Sequence, residues 1–336
     1  MLSAGIRGFL FDVKHSQDAV DLLTVGESML RFSVPTGQLL VDAPSFAVHV
    51  AGTESNVAVA LVRMGFTARW LSQLTRNVLG RRITDTISGY GVDCSQVAWT
   101  DAGRVGVYYL EFGAAPRPTK VLYDRAPSSA QDMDKKTFDP LLLKKARILH
   151  LTGITVALSE SCHRLVQTFI EQAGELHVPV VFDVNYRALL WSHKECRQKL
   201  EPLLSKVDTI IVSRRDAGPI FDISGEPVYC AEKIQAKFGV PRVAITAGDQ
   251  GAVGLENGVA ITVPGYRVDI VDRIGAGDSF AAGVIGGLLE GNFTRGLQYG
   301  VAMSALQLTT AGDLFRFSRA EVLDLMAAEG VIQLVR

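Results

Sequence analysis

The residues best suited to chemistry lie in one short stretch, DRIGAGDSFAAG, at positions 272–283. Gly275, Ala276 and Gly277 precede Asp278 and an apolar segment of small residues. Backbone N–H groups at the start of a helix form an anion site when no side chain obstructs them. A carboxylate there would repel a phosphate, so Asp278 makes sense as the base that takes a proton from a hydroxyl while the amides hold a phosphoryl group. The alternative is a plain turn before a helix, and this stretch alone leaves both interpretations open.

A second candidate stretch, AGTESNVAVALVRMG, covers residues 51–65. Gly52 before a small-residue helix suggests backbone that approaches a ligand, and Asn56 offers both a donor and an acceptor. The alternative is ordinary helix capping by Thr53 or Ser55.

Arginines and tyrosines at the ends of β-like segments form a third group. Guanidinium groups bind carboxylates through paired hydrogen bonds, and tyrosines cover the apolar face of a sugar while donating a hydrogen bond. A small hydroxylated acid would suit them, although each tyrosine could equally pack against a neighbouring strand. The residues are Tyr108, Tyr109, Tyr123, Arg125, Tyr186 and Arg187.

The order of the predicted elements indicates an α/β fold. From residue 147 onward, short apolar runs alternate with helical patterns, which is typical of a parallel sheet covered on both faces. The first half adds β-rich aromatic segments that are separated in sequence by elements of the main body. Such segments can pair into one small protruding sheet, so we expect a discontinuous lid. The runs are 147–151, 178–184, 208–212 and 242–246, and the lid segments are RFSV, SFAVHV, RVGVYYLEF and TKVLYDR.

Composition excludes several classes of function. The 336 residues carry 34 basic and 35 acidic side chains, so no net charge attracts nucleic acid or an anionic membrane. Apolar runs end well before the roughly 18 residues of a membrane span. Four scattered cysteines indicate reduced thiols and a cytoplasmic protein. The chain has neither a P-loop nor a G-x-G-x-x-G motif after its first strand, which disfavours P-loop NTPases and dinucleotide-dependent dehydrogenases.

The first and second stretches together resemble the two signatures of the ribokinase-like sugar kinases, also called the phosphofructokinase B family. They lie in the family's order and at the family's distance, and the resemblance runs from about residue 21 to about residue 328. Three further segments, 107–130, 150–158 and 182–191, resemble the 2-keto-3-deoxygluconate kinases within that family. DVNYR together with YDR followed by small residues is a rarer combination than GAGD alone, which favours the subfamily.

The resemblance implies a ribokinase-like three-layer α/β fold with a central, mostly parallel sheet and a small β-sheet lid. Residues 1–20 would form an irregular extension, and residues 21–336 one kinase domain with a lid at about 29–50 and 99–125. It also implies transfer of the γ-phosphoryl group of ATP to O6 of 2-keto-3-deoxygluconate, with Mg²⁺. The galacto epimer, fructose or a related ketose stays open as acceptor, and so does an inactive sugar-binding relative.

The resemblance carries roles onto individual residues. Asp278 would be the base, with the amides of Gly275, Ala276 and Gly277 as the anion hole. The residues that match sugar-acid contacts are Gly52, Asn56, Tyr108, Tyr123, Arg125, Ile154 and Arg187, and those that match ATP contacts are Ser213, Thr246, Gly248, Gly251, Gly275 and Gly277. Arg125 and Arg187 are the candidates for the substrate carboxylate and keto end.

Four further expectations concern bound ions, Arg273 and assembly. Where the family usually has Asn-x-x-Glu, this chain has SRRD, so Asp216 is the remaining candidate for Mg²⁺, through water. Arg273 stands where the family often has threonine, and we expect it to point into solvent. Relatives hold a monovalent cation such as K⁺ near the positions of Asp272 and the loop 309–313. A homodimer is expected because the lid exposes apolar faces and sheet edges that relatives cover with a second lid.

Overall fold

The computed structural model describes residues 18–328, and the expected extension at 1–20 therefore lies almost entirely outside them. The strands are β1 (Val20–Val25), β2 (Met29–Ser33), β3 (Ala47–Ala51), β4 (Ala68–Leu71), β5 (Gln73–Thr75), β6 (Ala98–Thr100), β7 (Val107–Glu111), β8 (Lys120–Asp124), β9 (Ala146–Thr152), β10 (Val180–Asp183), β11 (Thr209–Ser213), β12 (Arg242–Thr246), β13 (Ala252–Glu256) and β14 (Val259–Val263). The helices are α1 (Thr53–Arg63), α2 (Val78–Gly89), α3 (Gly153–Leu158), α4 (Glu160–Leu176), α5 (His193–Leu204), α6 (Arg214–Phe221), α7 (Pro227–Phe238), α8 (Ala276–Leu289), α9 (Phe293–Leu308) and α10 (Arg319–Ala327).

Eight strands form the main sheet in the order β14-β13-β12-β11-β10-β9-β1-β4. The six strands from β12 to β4 are parallel, and β13 and β14 extend the sheet as an antiparallel hairpin. Their apolar side chains divide into two buried clusters, one against α3 to α7 and the other against α1, α2, α8, α9 and α10. This arrangement confirms the predicted three-layer α/β fold.

A separate four-stranded sheet forms the lid, in the order β3-β2-β7-β8. Register places Arg31, Tyr108 and Tyr123 on one face, and it places Phe32, Tyr109 and Leu122 on the other. The second lid segment begins at Val107, later than residue 99, because β6 pairs with β5 in a two-stranded sheet of its own. The lid thus takes strands from two distant parts of the chain.

Helices α8 and α9 pack closely because glycines face each other at their contact. A Cβ on Gly283 would overlap the backbone N of Gly300 on the facing helix. The small residues that follow Asp278 therefore fix how α8 lies on the rest of the protein. This packing holds the start of α8 at the edge of the main sheet.

The cysteines and the helices bear on the expected cellular environment of the protein. Cys94, Cys162, Cys196 and Cys230 are all free thiols, and the last three are buried. Across residues 18–328 we find no helix whose length and apolar character would let it cross a membrane.

The close contact of α8 with α9 predicts the effect of adding one methyl group. Gly283→Ala should lower the free energy of unfolding by about 1–3 kcal/mol, because backbone must move to admit the Cβ. Gly174→Ala in α4 is the matched control, since a Cβ there meets no atom within 4 Å. It should raise stability by about 0.5–1 kcal/mol through helix propensity. Equal effects in urea unfolding would contradict the packing argument.

Candidate active site

A cavity of about 520 Å³ opens at the carboxyl ends of the parallel strands. Glu27 follows β1, Asp183 ends β10, Ser213 ends β11 and Thr246 ends β12, and all four line the cavity. Ligands bind in such crevices of open α/β sheets, where the strand order changes direction. The lid covers the opposite side, so the cavity is enclosed by both sheets.

The start of α8 forms one wall of the cavity. Gly275 is the N-cap of the helix and has φ = 83°, a conformation that favours glycine. A Cβ at this position would also overlap the carbonyl oxygen of Asp313, so no other residue fits without backbone movement. The amides that begin α8 consequently reach the cavity without side chains in front of them, as an anion site requires.

Asp278 lies in the first turn of α8 and is buried. Asn56 Nδ2 donates a hydrogen bond of 2.7 Å to Asp278 Oδ2. Burial raises the pKa of Asp278, and the Asn56 hydrogen bond and the nearby Arg187 charge act in the opposite direction. A carboxylate with a raised pKa next to an anion site is suited to accept a proton from a hydroxyl.

The N-terminus of α1 supports Asp278 from the side. The N-cap is Gly52, and no side chain caps the helix, so the alternative of ordinary capping by Thr53 or Ser55 is wrong. Ser55 instead donates from Oγ to the Gly52 carbonyl oxygen over 2.9 Å. Gly52 also lies so close to Ser28 that a Cβ would not fit, which explains the glycine.

Asp183 and Asn185 are two cavity residues to which the sequence analysis gave no role, although it quoted the segment that contains them. Burial, followed by the charge of Asp278, raises the pKa of Asp183 to about 7. Asn185 Nδ2 donates to Asp183 Oδ2 over 3.2 Å, whereas its buried Oδ1 has no hydrogen-bond partner within residues 18–328. The position of both residues directly after the buried run VVF was the signal for them.

The two arginines predicted to bind an acid differ in their surroundings. Arg125 is buried and donates from Nε to Glu27 Oε2, and Ser128 donates to the other oxygen of that carboxylate. Arg187 is exposed at the mouth of the cavity, and its Nη1 donates to the Tyr186 carbonyl oxygen over 3.0 Å. The charge of Arg125 is therefore already balanced by Glu27, whereas Arg187 has no ion pair among the described residues.

A second cavity of about 650 Å³ adjoins the first on the side of β11 and β12. Ser213, Arg215 and Thr246 line both cavities, and Gly248 lines the second only. Gly251 lies in the turn before β13 and lines neither cavity. One extended ligand could thus run from the start of α8 across the ends of β11 and β12.

The first cavity brings together nearly all of the residues that the sequence analysis selected. Ala276 begins α8 but does not line the cavity, and its predicted contribution comes only from its amide. Arg273 is exposed but lines the cavity, which differs from the expectation that it points away into solvent. The predicted residues in the lining are Gly52, Asn56, Tyr108, Tyr123, Arg125, Ile154, Arg187, Ser213, Asp216, Thr246, Gly275, Gly277 and Asp278.

The SRRD segment forms the start of α6. Ser213 is its N-cap and accepts from the amide of Asp216 over 3.1 Å, while its hydroxyl donates to Asp216 Oδ2 over 2.7 Å. Among residues 18–328, no group of three or more His, Cys, Asp or Glu side chains is arranged to hold a metal. Mg²⁺ commonly binds through one or two carboxylates, phosphates and water, and the oxygens of Asp183, Asn185 and Asp216 fit that demand.

The large, mostly parallel sheet between two helix layers and the small separate lid sheet form a ribokinase-like fold. A family model described as "pfkB family carbohydrate kinase" matches residues 20–317, and the chain belongs to that family.

Individual relatives agree with this assignment. The chain is 37% identical over 295 residues to the 2-dehydro-3-deoxygalactonokinase of Haloferax volcanii, covering 88% of this chain and 92% of that protein. The crystal structure of 2-dehydro-3-deoxygluconokinase from Thermotoga maritima superposes with a TM-score of 0.87 at 33% identity, covering 92% and 98% of the two chains. A double mutant of the fructokinase from Vibrio cholerae O395, solved with fructose, ADP and potassium ion, shares the fold at 20% identity and a TM-score of 0.79, covering 92% and 99%.

The contact between Asn56 and Asp278 predicts a change in pH dependence. A base must be ionised, so kcat/KM for phosphoryl transfer should fall as the pH drops through the pKa of Asp278. Asn56→Ala removes a donor that favours the ionised form, so this acid limb should move to higher pH by about one unit.

Ser55→Ala is the control for that shift, because Ser55 lies one residue away on the same helix and bonds to Gly52 and Ser28 instead. Its acid limb should stay in place. An unchanged limb in Asn56→Ala would mean that another group titrates.

Proposed function

We propose that this protein transfers the γ-phosphoryl group of ATP to O6 of 2-keto-3-deoxygluconate, giving the 6-phospho sugar acid. One observation carries the proposal: Asp278 and the open amides of α8 face the same cavity as Arg187 and Arg125. A cavity that combines a phosphoryl site with guanidinium groups suits an acceptor that has both a hydroxyl and a carboxylate.

The reaction needs little covalent work from the protein. Asp278 takes the proton of the O6 hydroxyl as that oxygen attacks the γ-phosphorus, and ADP leaves from the opposite side. The amides of Gly275, Ala276 and Gly277 stabilise the negative charge on the transferring group. Asn56 holds the carboxylate of Asp278 in position through the 2.7 Å hydrogen bond.

The acid end of the substrate would be held mainly by Arg187. Within residues 18–328 Arg125 forms its side-chain hydrogen bond through Nε, to Glu27, which leaves its two terminal amino groups for the keto or carboxylate oxygens. Arg187 is exposed and free of an ion pair in the described chain, so it can turn toward the ligand. The Cζ atom of Arg125 lies 5.8 Å from the centre of the Tyr123 ring. This ring would cover the apolar side of the sugar.

The second cavity suits the nucleotide. Ser213 and Thr246 in the shared wall would contact the phosphates, and Gly248 would run along the rest of ATP. Arg215 and Arg273 also line the first cavity and can balance phosphate charge. Mg²⁺, when bound, neutralises the phosphate oxygens, and Asp183, Asn185 and Asp216 are the residues that would hold it, directly or through water.

The galacto epimer is a second candidate substrate. The observation in its favour is the 37% identity with the 2-dehydro-3-deoxygalactonokinase of Haloferax volcanii. The two acids share the carboxylate, the keto group and the primary hydroxyl, so the same arginines and the same base would serve either. The choice between them depends on contacts with a single secondary hydroxyl.

The decisive experiment measures ADP release by the purified protein with ATP and Mg²⁺. The acceptors are 2-keto-3-deoxygluconate, its galacto epimer, fructose and ribose, and Asp278→Asn is the control. We expect kcat/KM to be at least about 100-fold higher for a keto-deoxy acid than for either neutral sugar, and to fall by about 10²–10⁴-fold in Asp278→Asn. Fast turnover of fructose would contradict the assignment of the arginines, and no turnover on any acceptor would contradict the kinase.

The role of Arg187 is tested with the same assay. Arg187→Gln should raise KM for the keto-deoxy acid by about 10- to 100-fold and leave KM for ATP near its original value, because one charge-assisted contact is lost. Arg215→Gln is the matched control, because it removes one positive charge from the wall that the two cavities share. It should raise KM for ATP and leave KM for the keto-deoxy acid near its original value.

We also propose that the protein acts in the cytoplasm as a homodimer joined through the lids. The outer face of the lid carries Phe32 and Tyr109, whose rings stack at 5.5 Å, and Leu122, which is 61% exposed. Strand β8 is an open edge of that sheet. A second lid would cover both the apolar face and the edge.

The proposed compartment follows from the cysteines. The cytoplasm keeps thiols reduced, as the four free cysteines of this chain require.

Sedimentation tests the dimer. We expect a dimer at micromolar concentration, and Leu122→Asp should shift it to a monomer because a charge would be buried at the contact. Val259→Asp on β14, an edge strand of the main sheet and not part of the lid, where the side chain is 65% exposed, should leave the dimer intact. A native protein that sediments as a monomer with and without substrate would overturn this proposal.

A further inference from the structure

A buried cluster of charges lies directly behind the start of α8. Arg31 of lid strand β2 is fully buried, and its guanidinium bridges two carboxylates. Nη2 donates to Asp272 Oδ2 over 2.6 Å, and Nη1 donates to Asp313 Oδ2 over 3.0 Å. Asp272 lies three residues before Gly275, and Asp313 is the residue whose carbonyl oxygen packs against Gly275. The same two segments, Asp272 and 309–313, are those for which the resemblance implied a monovalent cation.

The oxygens of both carboxylates already have donors. Asp272 Oδ1 accepts from the amide of Ile274, and Asp272 Oδ2 accepts from the amide of Gly312 as well as from Arg31. Asp313 Oδ1 accepts from the hydroxyl of Tyr108 over 2.8 Å. All four carboxylate oxygens therefore accept at least one hydrogen bond, and the guanidinium of Arg31 already supplies a positive charge to both carboxylates.

Two of the backbone oxygens nearby also accept hydrogen bonds. Gln307 Nε2 donates to the carbonyl oxygens of Gly312 and Ile274, over 2.7 and 3.3 Å. The buried Oε1 of Gln307 has no partner within residues 18–328, but one neutral oxygen does not make a cation site. These residues thus do not fit a bound monovalent cation.

Further positive charges near the cluster also disfavour an added cation. His49 pairs with Arg31 in the lid sheet, and Arg82 and Arg316 lie close enough to His49 to oppose its protonation together with Arg31. Arg82 and Arg316 line one small cavity together with His49 and Asp313. An added cation beside the two carboxylates would therefore meet the guanidinium of Arg31 and lie next to a cavity that carries two further arginines.

We infer that the guanidinium of Arg31 takes the place of a monovalent cation beside the anion hole, so that phosphoryl transfer by this protein requires no K⁺. Arg31 is then a positioning residue: it joins the lid to the segment Asp272–Gly275 and holds the α8 amides through Asp272 and Asp313. Tyr108, which lines the substrate cavity and contacts Asp313, connects the same cluster to the acceptor side.

The first test uses the native protein. Its kcat and KM are measured in potassium-free buffer with tetramethylammonium chloride and then with KCl at equal ionic strength. The inference expects a change of less than about twofold, because no site is open to the ion. A rise of about fivefold or more in kcat with KCl, saturating at low concentration, would overturn it.

The second test removes the guanidinium that bridges Asp272 and Asp313. Arg31→Ala should lower kcat by about 10²-fold or more in tetramethylammonium chloride with a much smaller effect on KM for ATP, and KCl should restore about tenfold or more of the loss. Arg31→Lys should keep part of kcat without KCl, because a cationic side chain remains. Arg69→Ala is the matched control: Arg69 is itself buried and pairs at 2.6 Å with the half-buried Asp93, and its loss should create no response to KCl.

The kinetic tests rest on the proposed function, so a readout without turnover is added. KCl should raise the Tm of Arg31→Ala over that in tetramethylammonium chloride, since an ion that binds the folded state stabilises it, and should leave native protein and Arg69→Ala unchanged. If Arg31→Ala does not fold, the native comparison decides. An Arg31→Ala protein that responds to K⁺ in neither Tm nor kcat would overturn the inference, and a Tm response without any kinase activity would contradict only the proposed function.

Discussion

A carboxylate buried at the start of a helix is the constraint on which the site depends. Removing a charge from water costs several kcal/mol unless other groups compensate, so Asp278 can serve as a base only where donors hold its ionised form. Asn56 supplies that donor from α1, 222 residues away in sequence. The contact requires α1 and α8 to lie side by side, and this in turn requires the small residues of α8 to admit α9 on its other side.

The main sheet supplies the other half of the geometry. Parallel strands bring their carboxyl ends to one edge, so short segments after β1, β9, β10, β11 and β12 meet there although they are far apart in the chain. Each segment contributes a different group: a lid anchor in Glu27, a wall in Ile154, one acid and one amide in 183–185, a helix cap in Ser213 and a phosphate-side hydroxyl in Thr246. Division of the work among loops lets one fold accept different sugars.

Much of this could be predicted from the sequence. The parallel strands and their helices follow from apolar periodicity, and most of the cavity lining follows from two signatures and three subfamily segments. Contacts between distant charges could not be predicted. Arg31 stands in RFSV, where alternation marks a lid strand but does not reveal that its partners are 241 and 282 residues away. Glu27 and Arg125 likewise pair across 98 residues, so the neutralisation of one predicted acid-binding arginine was invisible without coordinates.

The strand order also determines when the protein can become active during synthesis. β1 lies between β4 and β9, so the ribosome must make three of the eight strands of the main sheet, as far as Thr152, before the first strand has both neighbours. The apolar face of α1 waits still longer for α8, which follows it by more than 200 residues, or about 10–40 s at common elongation rates of about 5–20 residues per second. During that interval the nascent chain presents a hydrophobic surface that its own C-terminal third will later cover. Assembly of the catalytic centre therefore waits for α8, and a chain that stops short of α8 has no anion hole and leaves that face of α1 uncovered.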